Sequence, residues 1–257
     1  MRTSQMILST SALALVTVAA LSGCSPLGSG PTVTQDRDIT DVTAVQLNTS
    51  GSLIIALGAT PSLTVSAGDR IIDRLTEDVD DGVLRLAMEG NPMPLDGDIR
   101  YELTVSSLES LTVTGSGDAV VDLSGAREPT ITVRGSGGVD ASGIDAAMAA
   151  LTVEGSGAIQ VRDAALENLM VRVDGSGEVT VDGAADTQRV EIMGSGGYQG
   201  TELRSANAFV TVRGSGEATV TADEALDAVI DGSGVISHGG DARVTEDVAG
   251  SGAVTQR

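Results

Sequence analysis

Leu151-Thr152-Val153-Glu154-Gly155-Ser156-Gly157-Ala158-Ile159-Gln160-Val161 is the stretch whose reading decides the fold. Apolar and polar residues alternate up to Gly155, a tripeptide of small residues interrupts, and the alternation resumes after Gly157. The pattern is not confined to this place. Gly-Ser-Gly begins at Gly115, Gly135, Gly155, Gly175, Gly194, Gly214, Gly232 and Gly250, with successive spacings of 20, 20, 20, 19, 20, 18 and 18. An internal repeat of this kind governs the reading of everything around it. Two places before the tripeptide stand Val113, Val133, Val153, Val173, Ile192, Val212, Ile230 and Val248. Four places before stand Leu111, Ile131, Leu151, Val171, Val190, Val210, Ala228 and then Glu246. The positions between are mostly polar, which is the period-2 signature of a strand with one buried face.

A second strand follows the glycines. Its first inward column is Ala119, Val139, Ile159, Val179, Tyr198, Ala218, Ile236 and Val254. The next is Val121, Ala141, Val161, Val181, Gly200, Val220, His238 and Gln256. The rest of each unit is turn-rich, as in Leu123-Ser124-Gly125-Ala126-Arg127-Glu128-Pro129, with one further apolar residue such as Ile144, Leu166 or Leu203. Each repeat is therefore expected to be strand, glycine corner, strand and loop.

No repeat holds a segment with the length and period of a crossover helix. A propeller blade needs roughly 40 residues, and the leucine-rich pattern is absent. One repeat per coil of an all-β, parallel β-helix fits: about eight coils of about 20 residues, right-handed by the usual crossover preference. Glycine suits a sharp corner because it reaches backbone angles other residues avoid. It also removes side chains that would crowd one another along the stacking axis. The serine ladder from Ser116 to Ser251 is expected to tie neighbouring corners by hydrogen bonds, the alternative being a ladder that binds ligand.

Composition excludes several classes. The chain of 257 residues carries 15 basic and 36 acidic residues, a net charge of −21, and every basic residue is Arg. It has no Trp, one Phe (Phe209), one Cys (Cys24) and one His (His238). One cysteine makes no disulfide framework, and one Cys with one His cannot supply the four ligands of a zinc site. A nucleic-acid binder needs a basic face with stacking aromatics, so no nucleic-acid partner is expected. The apolar 41% is mainly Val, Ala, Leu and Ile, small and branched side chains suited to strands.

The first residues read as an address. Arg2 precedes an apolar run from Met6 to Leu21, the layout of a secretory signal rather than a fold element. Leu21-Ser22-Gly23-Cys24 resembles the bacterial lipoprotein lipobox, in which the cysteine becomes the lipidated N-terminus. Residues 1–23 are thus expected to be a lipoprotein signal peptide, with Cys24 the lipid attachment site. Residues 24–38 are expected to form a flexible tether, rich in Gly, Ser and Pro. The acyl chains, not the acidic body, would hold the protein to the outer face of the membrane.

Residues 39–257 read as one domain, with 39–106 looser and 107–257 regular. Val45 to Ile55 is a degraded strand, corner and strand; Leu63–Ala67, Val83–Met88 and Arg100–Ser106 are further strands. Gly68 to Asp81 places Ile71, Ile72, Leu75 and Val79 at helical spacing and is expected to hold a short covering helix. Asn91 to Asp98 is expected to be a loop. This portion should cap the N-terminal end of the stack. At the other end, Glu246, His238 and Gln256 interrupt inward columns, as suits a terminal repeat whose outer side meets water.

The string Tyr101 to Gly117 (YELTVSSLESLTVTGSG), the recurring x-V-x-G-S-G units and the strand Gly82-Val83-Leu84-Arg85-Leu86 resemble the GIN-domain family of autotransporter-adhesin heads. The resemblance covers roughly Ile39 to Ala253. It implies a parallel β-helix-like fold at the cell surface, without catalytic residues or cofactors.

Four functions fit this sequence to different degrees. A lipid-tethered interaction module or adhesin, contacting an envelope or extracellular protein or polysaccharide, is the expectation. A structural or stress-responsive envelope protein is the alternative. A polysaccharide-cleaving β-helix enzyme would need unequal loops, paired carboxylates and aromatic platforms. Instead the acids Asp118, Asp122, Asp140, Asp163, Asp174 and Asp182 recur in no single column. Calcium-binding rolls pack their glycines and aspartates into nine-residue units, which this period does not match. No catalytic, metal or cofactor residue is expected.

Overall fold

The computed structural model describes residues 29–90 and 98–257. The described residues form nineteen strands: β1 (Thr32–Arg37), β2 (Ala44–Leu47), β3 (Ser52–Leu57), β4 (Ser62–Gly68), β5 (Leu75–Asp80), β6 (Val83–Met88) and β7 (Arg100–Val105). There follow β8 (Ser110–Gly115), β9 (Asp118–Asp122), β10 (Thr130–Gly135), β11 (Gly138–Ser142), β12 (Asp145–Gly155), β13 (Ala158–Gly175) and β14 (Glu178–Gly194). The last are β15 (Gly197–Gly214), β16 (Glu217–Gly232), β17 (Val235–Gly239), β18 (Arg243–Gly250) and β19 (Ala253–Gln256).

The repeat pairs with itself in parallel, one unit above the last. Gly115 lies beside Gly135, Gly135 beside Gly155, Gly155 beside Gly175 and Gly175 beside Gly194. Gly194–Gly214, Gly214–Gly232 and Gly232–Gly250 continue the same column. This is an all-β parallel solenoid, with the alternation of each strand dividing inward from outward residues. Every member of the two columns before the tripeptide is buried except the last in each, Val248 and Glu246. The core is therefore a set of aliphatic ladders along the axis, filled by small branched side chains at close range.

The third part of each unit differs from the expected loop. From Asp145 onward it is strand: Ala164–Leu166 pair with Gly183–Ala185, and β13 runs unbroken through 18 residues. Ala164, Leu166 and Leu169 are all buried, with exposed Glu167 and Asn168 between the last two, which supports a third side to the coil. The turn between sides is taken at Asp163, with φ at +56° and a register shift between Val161 and Ala164. The Asp182 carboxylate accepts a hydrogen bond from the Asp163 N–H at 2.8 Å and holds that bend. Irregular stretches remain at Leu123–Pro129 and, more briefly, at Gly143–Ile144 and Gly240–Ala242.

At the N-terminal end the levels are out of chain order. β2 pairs in parallel with both β6 and β8, and β3 with both β7 and β9. The level built from β2 and β3 thus sits between that of β6 and β7 and that of β8 and β9. Beyond β6 and β7 the polarity reverses: β4 lies antiparallel to β7, β1 to β4, and β5 to β6. The expected cap is present, built from antiparallel strands.

Two expectations for this region are corrected. The covering helix over Gly68–Asp81 is a single 3-10 turn, Ile72–Arg74, followed by β5. Asp81 and Gly82 have φ of +50° and +76°, the geometry of a two-residue hairpin turn that returns the chain as β6. That Asp-Gly pair was the signal that outweighs the helical spacing of the apolar residues. The tether expected over 24–38 is also too long, because Thr32–Arg37 is β1, paired along its length with β4. The loop expected at Asn91–Asp98 lies, apart from Asp98, outside the described residues.

Candidate functional site

The most regular surface of the molecule is its glycine corner. Each ladder serine after Ser116 donates its backbone N–H to the first glycine carbonyl of the preceding unit: Ser136, Ser156, Ser176, Ser195, Ser215, Ser233 and Ser251, all at 2.8 Å. The tie between corners is therefore made by the backbone. The serine side chains are exposed, and none of their hydroxyls hydrogen-bonds another protein group among the described residues. The expected hydrogen-bond tie between neighbouring corners is present, made by the serine N–H groups rather than by their hydroxyls. The main chain is held so closely that it satisfies itself and turns the hydroxyls outward.

Both glycines of an interior corner are required by the stacking. A Cβ on Gly155 would stand 2.5 Å from the Gly135 carbonyl oxygen, and φ there is +129°. A Cβ on Gly157 would stand 2.5 Å from Val133 Cγ1. The result is a shallow open trough of about 650 Å3 over Gly115, Ser116 and their counterparts up to Ser176. A second hollow of about 410 Å3 lies where the degraded corner Ser50–Ser52 meets Asp98, Arg100 and Asp118.

The acidic residues singled out from the sequence act locally. Asp140 pairs with Arg162 at 2.6 Å. Asp122 accepts hydrogen bonds from the Ser124 hydroxyl at 2.6 Å and its N–H at 2.9 Å, which hold its carboxyl below the usual range. Asp174 pairs with Arg172 at 3.5 Å. Arg172 also reaches Glu191 at 2.9 Å, and Arg213 closes on the same carboxylate, giving a small ladder of charge across adjacent coils. Among the described residues, no three His, Cys, Asp or Glu side chains gather as a metal site would require.

His238 lies in the inward column but not at the water-facing limit of the stack. It pairs with Gln256 of β19 and is only 7% exposed. Burial pushes its imidazole below the ordinary value, Arg257 adds to the effect, and Glu246 opposes it. The terminal position expected for this residue is held instead by Glu246 and Gln256, which are exposed.

One buried group of polar residues was not singled out by the sequence pattern. The Tyr198 hydroxyl donates to Gln188 Oε1 at 3.0 Å; Gln188 Nε2 donates to Ser205 Oγ at 2.7 Å and to the Thr221 carbonyl at 3.2 Å. Ser205 Oγ donates to the same carbonyl at 3.0 Å. Gly200 makes room for the ring, since a Cβ there would lie 2.7 Å from the Tyr198 hydroxyl. Burial raises the Tyr198 phenol well above its usual value. A satisfied network of this kind stabilises one arrangement of the core. The coupled departures at Tyr198 and Gly200 within two aliphatic columns were the available clue. Cys24, the one site residue expected from sequence, lies outside the described residues.

The fold has close counterparts among solved structures. A crystal structure from Parabacteroides distasonis described as a "Putative lipid binding protein" aligns with TM-score 0.85 and 26% identity, over 90% of this chain and 98% of that one. A "putative adhesin" from the same organism aligns at 0.83 and 21%, over the same shares. Another from Parabacteroides merdae aligns at 0.81 and 18%, again over 90% and 98%. No curated protein matches the sequence. With residues 41–242 matched by the model of the family described as "Putative auto-transporter adhesin, head GIN domain", the chain belongs to that family.

Proposed function

We propose that this protein is a non-catalytic interaction module of the cell surface, an adhesin-like rod anchored by lipid at Cys24. The observation that carries the reading is the in-register stack itself. Repetition turns single outward residues into continuous strips on flat β faces, which suit extended contact with another macromolecule. Its membership of an adhesin-head family supports a surface or envelope role. The lipobox-like Leu21–Cys24 supplies the anchor in this reading, and the acidic body stays in solution above the membrane. The partner is an envelope or extracellular protein or polysaccharide.

Two experiments test it. Radioactive palmitate should label the wild-type protein in cells and leave Cys24→Ala unlabelled; equal labelling ends the anchor assignment. Deleting the gene should lower attachment of intact cells to a surface or matrix, with the purified chain competing for the same sites. Unchanged attachment after deletion would favour a structural or stress-responsive envelope role.

A further inference from the structure

The only phenylalanine of the chain is not in the core. Phe209 is 38% exposed, and two of the other exposed large apolar residues, Met148 at 42% and Met170 at 48%, lie on the same face. The register brings them together. Met170 pairs with Arg189 and Arg189 with Phe209, while Ala150, two residues from Met148, pairs with Met170. With adjacent strands about 4.8 Å apart, Met148, Met170, Arg189 and Phe209 lie on four successive coils of one outer surface. Arg189 lies over the Phe209 ring at 4.9 Å, which holds the ring in place before any partner arrives. Exposed Met, Phe and Arg together make the composition of an interface centre rather than of ordinary surface.

Around Arg189, the patch is bordered mainly by carboxylates. Asp227 pairs in register with Phe209, and Glu167 and Asp186 lie three residues before Met170 and Arg189. Glu128 precedes Thr130, the neighbour of Ala150. None of these four exposed carboxylates has an ion-pair partner among the described residues. Of the nearby arginines, Arg134 pairs with Glu154 at 3.1 Å, Arg172 with Glu191 at 2.9 Å and Arg204 with Asp223 at 2.8 Å, while exposed Arg127 beside Glu128 makes no ion pair among the described residues.

We propose that this face docks a cationic amphipathic segment of a partner protein, one in which Lys or Arg alternates with apolar side chains. The apolar side chains seat on Met148, Met170 and Phe209, and the cations meet Glu128, Glu167, Asp186 and Asp227. An anionic membrane is disfavoured by the same carboxylates. The proposal rests on the interaction-module reading and names the surface and partner chemistry for it.

The test uses the full chain and a fluorescent ten-residue peptide of alternating Lys and Leu, followed by anisotropy. Met170→Ser/Phe209→Ser should weaken binding about tenfold, as expected for losing an interface centre. Glu167→Gln/Asp186→Asn should weaken it and flatten its salt dependence. Glu178→Gln/Glu217→Gln, on another face, should bind as wild type, and a Glu-Leu peptide should not bind. Equal binding by all three variants would overturn the proposal, as would tighter binding of phosphatidylglycerol vesicles than of the peptide. If gene deletion abolishes attachment while Met170→Ser/Phe209→Ser supports it fully, this surface is wrong and the module reading stands. If peptide binding depends on the patch but deletion leaves attachment unchanged, the surface stands and the adhesion reading fails.

Discussion

At the N-terminal end of the stack the outermost strands are antiparallel, β1 on β4 and β5 on β6, whereas at the C-terminal end β18 and β19 each pair on one side with a parallel neighbour. Beneath the first end lie Leu63, Leu75, Leu84, Leu86 and Leu103, all buried. Arg37 and Glu77 pair there at 3.4 Å. Tyr101 is sealed in the same region, and burial pushes its phenol up to about 12, against the pull of Thr49 and Arg37. At the second end Val248 is 39% exposed and Glu246 stands in an inward column. A solenoid must protect its last open edges from further pairing. One end is covered by added strands; the other carries an inward-column charge on a strand that, among the described residues, nothing overlays.

Interior and terminal positions should respond to mutation very differently. Gly155→Ala places a Cβ against the Gly135 carbonyl in a backbone region unfavourable for alanine. It should cost about 3 kcal/mol or more by urea unfolding. At Gly115, where nothing lies within 4 Å of the added atom, alanine should cost only the backbone strain of about 1–2 kcal/mol. Equal losses would mean that stacking does not constrain the corner.

The next contrast is between the ends themselves. Leu84→Ala under the cap should destabilise by about 3 kcal/mol, and Val248→Ala at the bare end should stay within about 0.5 kcal/mol. Amide exchange should likewise be slow in β6 and β7 and fast in β18 and β19. Comparable protection at both ends would show that the bare end is covered in solution.

Glu246→Val probes whether the inward charge keeps the bare end free. It should shift sedimentation toward larger species as concentration rises, while the wild type does not change. A variant that sediments as wild type at every concentration would remove the charge from this role.

The smallest effect is expected at His238. Its folded value is depressed, so the unfolded chain binds the proton more readily, and stability is complete above the unfolded value near 6.5. It should fall as the pH drops below that point through the folded value. His238→Leu should flatten this part of the stability profile, and an unchanged profile would assign the acid sensitivity elsewhere.

How much was legible in the sequence depends on whether the signal was local and repeated. The inward columns around Gly115 to Gly250 follow from alternation, which tells which side of a strand is buried whatever its neighbour. The third side of the coil was harder, because alanines such as Ala164 and Ala185 are weak evidence of burial. The hairpin at Asp81–Gly82 was obscured by apolar spacing that suits a helix. The patch at Met148, Met170 and Phe209 had no linear signature, since Met170 and Phe209 share an outward column occupied elsewhere by Ala150 and Arg189, Met148 lies one column away, and they come onto one surface only after the coils are stacked.

The sequence by itself determined the period, the parallel register, the inward ladders and the need for glycine at each corner. These are properties of one unit repeated, and identical units stack most closely when like residues lie over like. Only the tertiary structure decided that β2 and β3 enter between later strands, that antiparallel strands close one end, and that Phe209 faces water. Those outcomes depend on which sheet edge is free when a distant strand arrives. Alternation along a single strand carries no information about that competition.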